Sequence, residues 1–182
     1  PRCTCPPAIA SNYMNILTRR GTEMSELSEF RQTKDENFAG GHDSPLTEHQ
    51  THNFEGLRYF DENPGLRFVV EPEEFESQDA VEMQTSTGDV AQYIRWGRIS
   101  FEVGPQKAQL TLMKDEGSGE YFLPFADATS GHETYGAGRY LEVEELPDGK
   151  LLVDFNYAYN PYCAYNESWS CPLTPAENRL KV

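Results

Sequence analysis

The chain has 182 residues, with 30 acidic against 15 basic side chains for a net charge of −15, 37% hydrophobic residues and 12% aromatic ones. That length suits one domain with a real core. The acid excess repels nucleic-acid phosphates and anionic membrane surfaces, and no run reaches the roughly 18 apolar residues of a membrane span. No apolar stretch follows a basic start as in a secretory signal, and four cysteines are too few for a disulfide scaffold, so a reduced, cytoplasmic protein is expected with neither nucleic acid nor membrane as partner. Only five of the bases are lysine. Ordinary solubility charge and adaptation to a high-salt cytoplasm, where screening removes self-repulsion, both fit this balance.

Residues 1–23 stand apart, with three bases and one acid, while 24–182 hold 12 bases and 29 acids. Cys3-Thr4-Cys5-Pro6-Pro7 carries no helix or strand signal, and Met24 opens the acidic stretch MSELSEF. Residues 1–23 therefore read as a leader foreign to the domain, with Met24 as the start; a metal-binding CxC tail is the competing reading. Ser25–Phe38 is a short helix, with Ser25 as N-cap, Leu27, Phe30, Lys34 and Phe38 at helical spacings, and Gly40-Gly41 as its stop. His42-Asp43-Ser44-Pro45-Leu46 is a turn. His49 and His52 fall in a polar loop, and the spacing 42, 49, 52 lacks the second tight pair that a zinc site needs, so no metal is assigned.

From Phe54 onward short strands alternate with turns. Leu66–Phe75 alternates in part, with Pro72 marking an edge or bulge, Ala80–Ser86 alternates, and Val90–Val103 reads as two strands bent at Gly97. Lys107–Lys114, Tyr121–Phe125, Gly138–Leu146 and Lys150–Tyr157 complete the series. The expected fold is an antiparallel β-barrel or sandwich of seven to eight strands with one N-terminal helix, forming a single domain over 24–182. No helix alternates with the strands and no GxGxxG or P-loop occurs, which sets nucleotide-binding α/β folds aside.

Two stretches carry the chemistry. In Asp127–Tyr140, three glycines in eight residues permit unusual backbone. Arg139 can clamp an anion or pair with a carboxylate such as Asp154, His132 can act as a base, and Tyr135 and Tyr140 can orient a substrate. The second stretch, Asp154–Arg179, is a long aromatic loop with Asn156, Tyr159, Asn160, Cys163 and Cys171. Asp154 and Asn156 at a strand end suit tying down the following backbone. Cys163 and Cys171 enclose seven residues, which leaves four readings open: a disulfide, half of a metal site, a reactive thiol with its resolving partner, or two buried thiols.

FADATSGHETYGAGRYL at Phe125–Leu141 and DFNYAYNPYCAYNESWSCPLTPAENRL at Asp154–Leu180 closely resemble the prokaryotic family known as domain of unknown function 1684. The His42–Leu46 motif is similar to that family's own. Tyr162 departs from it, standing where the family often has a second proline. The acidic composition is similar to that of salt-loving archaeal members. The resemblance implies no activity and no cofactor, so the function stays open between three readings. The first is a domain that binds a small polar or anionic ligand at one end of the β structure, through Arg139, Tyr135, Tyr140, Asn156, Tyr159 and Asn160. The second is an enzyme using Cys163, or His42 or His132 with Asp154. The third is a structural or interaction protein. The stretches 127–140 and 154–179 are expected to converge, with His42, at one end of the fold.

Overall fold

The computed structural model describes residues 25–182. The stretch 1–23 expected to be a leader, its CxC motif and Met24 lie outside the described residues.

Helix α1, Glu26–Gly40, starts where the Ser25 hydroxyl accepts from the Ser28 N–H and ends where the Gly41 N–H reaches back to the Asn37 carbonyl. Leu27, Lys34 and Phe38 are its buried face, and Phe30 packs edge-on against Tyr157. The polar loop expected around His49 is instead a short helix, α2, Glu48–His52, opened by a capping box between Thr47 and Gln50. No residue of α2 is buried, so it carries no apolar period.

Nine strands follow among the described residues: β1 Arg67–Val70, β2 Glu73–Glu74, β3 Ala80–Gln84, β4 Val90–Val103, β5 Gln106–Asp115, β6 Tyr121–Phe125, β7 Arg139–Leu141, β8 Glu144–Glu145 and β9 Leu151–Asp154. Seven have three or more residues, so the expected count and class hold. All strand pairs are antiparallel and make two sheets: β1-β9-β8, and β2-β4-β5-β6-β7 with β3 on the same edge of β4 as β2. Neither sheet closes into a barrel, and the architecture is that of a sandwich. Pro72 falls between β1 and β2, where the chain leaves one sheet for the other.

The segment expected to bend at Gly97 is one strand, β4, in which Trp96 is an extra residue bulged out of the register with β5. A Cβ on Gly97 would lie 2.7 Å from the Glu73 carbonyl oxygen, so the missing side chain is what lets β2 approach. Between the sheets lies an apolar core that includes Ile99, Leu110, Leu112, Leu123, Phe125, Leu151 and Val153. A second, aromatic cluster joins α1 to the long loop: Phe38, Tyr140, Tyr162, Cys163 and Cys171 are buried there.

The last residues complete the sheet. Continuing the β5–β6 register would set Thr111 opposite Pro124, whose ring nitrogen has no hydrogen to give. The fully buried Asn178 amide fills that place: its Oδ1 accepts from the Thr111 N–H at 2.8 Å, and its Nδ2 donates to the Thr111 and Pro124 carbonyls, each at 2.8 Å. Beyond it, residues 178–182 run alongside 126–128. Residues 171–173 cover the outer edge of β3, where Ser86 N–H donates to the Cys171 carbonyl and Leu173 N–H to the Gln84 carbonyl.

Candidate functional site

The two stretches singled out in the sequence meet through their backbones. Tyr140 in β7 and Tyr159 exchange both N–H···O=C bonds, at 2.8 and 3.0 Å. From that bridge the side chains diverge, because neighbours on a strand face opposite ways.

Arg139 turns away from the aromatic cluster. Its guanidinium lies 5.1 Å from the Phe125 ring centre and donates to Asp127 Oδ2 at 2.6 Å. The partner is Asp127 rather than Asp154, because the loop 128–138 returns the chain so that Arg139 pairs with Phe125, two residues from Asp127. Asp127 Oδ1 also caps its own loop, accepting from the Thr129 N–H at 3.0 Å. Gly138 makes that return possible with φ +108°, and a Cβ there would lie 2.2 Å from Thr174 Oγ1.

Most of the other candidates are held internally. The Tyr140 hydroxyl donates to the Pro172 carbonyl at 2.5 Å. Tyr159 donates to Glu142 and carries the buried Lys34 ammonium 4.1 Å from its ring centre. Burial pushes the Glu142 carboxyl above its ordinary range, with the Tyr159 hydrogen bond and the Lys34 charge pulling the other way. Asn156 exchanges hydrogen bonds with the Asn63 backbone and donates to Asp154, whose other oxygen faces Arg67 at 3.7 Å. Asn160 hydrogen-bonds the Tyr165 hydroxyl. His42 and His132 are exposed.

Cys163 differs from these. It sits on a 3₁₀ turn, Tyr162–Ala164, started by Pro161. Both it and Cys171 are reduced thiols. The Cys163 N–H donates to Cys171 Sγ at 3.3 Å, and the Tyr135 hydroxyl stands 3.8 Å from Cys163 Sγ. Ser86, in the turn between β3 and β4, stands beside that sulfur, its one hydroxyl hydrogen given to the Trp169 carbonyl at 2.9 Å and its oxygen accepting from the Cys171 N–H at 3.1 Å. Hydrogen bonding, by Cys171 first and by Tyr135, outweighs burial and lowers the thiol from 9.0 to about 6. Burial and the neighbouring sulfur push Tyr135 up to about 12, so its hydroxyl keeps its proton and remains a donor.

Ser86, Asp127, Glu142 and Lys34 were not among the sequence candidates. Ser86 belongs to no motif, and it stands beside the sulfur only because 171–173 covers β3. Among the described residues no group of three or more His, Cys, Asp or Glu side chains is placed to hold a metal, and no helix is long and apolar enough to cross a membrane. An open groove of about 590 Å³ lies nearby, where Leu46, Phe54 and Leu57 meet the exposed His49 and Arg58.

The sequence profile described as "Protein of unknown function (DUF1684)" matches residues 52–182. The His42–Leu46 motif lies upstream of that span. The solution NMR structure of an uncharacterized protein of Haloarcula marismortui is similar at 33% identity and a TM-score of 0.67, covering 86% of this chain and 88% of that one. No curated protein matches.

Proposed function

This chain belongs to DUF1684, a family of proteins of unknown function, and we propose that it works through a nucleophilic thiol, Cys163, acting on a small electrophile. The observation that supports this reading is the convergence of Cys171 and Tyr135 on one sulfur. Donors around a sulfur stabilise the thiolate, which is the attacking species. By contrast, Arg139, Tyr140, Asn156, Tyr159 and Asn160 already have internal partners, so they serve better as the frame of the loop than as ligand contacts.

Alkylation by iodoacetamide, followed at Cys163 by peptide mass spectrometry across pH, tests the reading. The rate should rise with a midpoint near pH 6, against about 8.5 for an ordinary cysteine. Replacing Tyr135→Phe removes one donor and should move the midpoint upward. A Cys163 that alkylates with the midpoint of an ordinary thiol, or not at all in the folded protein, would refute it.

The open groove favours a second reading, binding of a small polar or anionic ligand. Leu46, Phe54 and Leu57 line it together with Arg58, His49 and Glu55. Titration with inorganic phosphate, followed by NMR shifts of residues 46–58, would show it; shifts that persist unchanged in Arg58→Gln would count against it.

A further inference from the structure

Building on the reading of Cys163 as a nucleophile, we propose that the protein reduces a small peroxide and that Cys171 is the thiol that resolves the oxidised Cys163. Three observations point to this pairing. First, the Cys163 N–H is bonded to Cys171 Sγ at 3.3 Å, and the two thiols lie in the same buried cluster, so they are already neighbours. Second, access is graded. Cys163 is 7% exposed and Cys171 is 0% exposed, so a reagent from solvent meets Cys163 first and Cys171 responds to what happens there. Third, the wall is aromatic and close: Phe38, Tyr140 and Tyr162 are buried in the same cluster, with Tyr135 and Trp169 packed against it. An aromatic wall that close suits an electrophile of a few heavy atoms better than a protein disulfide or a bulky acyl group. Among small electrophiles, a peroxide also uses the second cysteine, which an alkylating electrophile would leave idle.

The chemistry balances as two steps. The Cys163 thiolate attacks the nearer peroxide oxygen; the S–O bond forms, the O–O bond breaks, and the departing oxygen takes a proton from Tyr135, which regains one from solvent. Sulfur is oxidised by two electrons to sulfenic acid, and the peroxide is reduced to an alcohol or to water. Cys171 then attacks the Cys163 sulfur; the S–S bond forms, the S–O bond breaks, and hydroxide leaves with the Cys171 proton as water. Two electrons from a small dithiol reductant restore both thiols by exchange.

The full chain is treated with stoichiometric hydrogen peroxide, blocked with iodoacetamide, and cleaved after Glu167, which separates the two cysteines. Mass spectra without reductant should show one linked species containing Cys163 and Cys171, loss of two hydrogens, and loss of labelling at both. Dithiothreitol should reverse all three changes. In Cys171→Ser the sulfenic acid should persist at Cys163 and be captured by dimedone. If untreated Cys163 alkylates with its low midpoint but peroxide yields only sulfinic or sulfonic acid there, or a bond to Cys3 or Cys5, the resolving role is overturned and the nucleophile stands. If Cys163 is inert to both reagents, both proposals fall.

Discussion

Replacing Asn178→Ala tests how the second sheet is held together where Pro124 interrupts the β5–β6 ladder. The side chain is fully buried and makes three hydrogen bonds of 2.8 Å, two to Thr111 and one to Pro124. Truncation leaves the Thr111 N–H with no acceptor in a place water does not reach, and two carbonyls lose their donor. An orphaned buried donor costs about 1–3 kcal/mol and each of the other two lost bonds roughly 0.5–1.5 kcal/mol, so the variant should lose about 2–6 kcal/mol. That is a large share of the roughly 5–15 kcal/mol that stabilises a typical domain. Urea unfolding followed by Trp96 and Trp169 fluorescence reads it directly, with the midpoint falling and the slope unchanged. Asn178→Asp sharpens the test. It keeps the acceptor for Thr111 but turns a carboxylate toward two carbonyl oxygens, so it should be worse than alanine at neutral pH and should recover in acid, where a protonated carboxyl can donate once. A loss under about 1 kcal/mol in Asn178→Ala with an unchanged slope would show that the amide is not the missing rung between β5 and β6.

Two further outcomes follow from the same frame. Gly138→Ala places a Cβ 2.2 Å from Thr174 Oγ1 and 2.6 Å from the Phe125 carbonyl at φ +108°; strain alone should cost roughly 1–3 kcal/mol, visible as a lower melting temperature, and an unchanged melt would mean that the turn relaxes freely. Glu177, held below its usual 4.5 by the hydrogen-bonded Arg95 and by Thr111, contributes stability that is complete above 4.5 and fades as pH falls below it. Because the pair is about one-third exposed on both sides, Glu177→Gln should lower stability at pH 7 by no more than about 1 kcal/mol, with the two melting curves converging in acid. Curves that stay parallel down the acid limb would refute the assignment.

Much of the fold was legible because it depends on local chemistry. Ser25 caps α1, and Leu27, Lys34 and Phe38 mark its buried side at helical spacing. Pro72 was read as an edge or bulge within one segment, whereas it falls between two strands of different sheets. Helix α2 was not legible from apolar period, since it buries nothing; the Thr47 and Gln50 pair was the available signal. Gly97 was read as a bend, whereas it admits the Glu73 backbone beside an uninterrupted strand. At the site, the cysteine pair and Tyr135 could be singled out by residue type. The partner of Arg139 and the approach of Ser86 could not, because each depends on where a loop returns in space, and Ser86 stands 85 residues from Cys171.

The strip at 171–173 has one further consequence, for how the protein behaves at high concentration. An open ladder along β3 would invite a neighbouring chain to add to it. Here the place opposite Thr85 is taken by Pro172, which offers a carbonyl but no hydrogen and has already committed that carbonyl to Tyr140. The ladder is therefore terminated on this side and gives a fibril nothing to grow from.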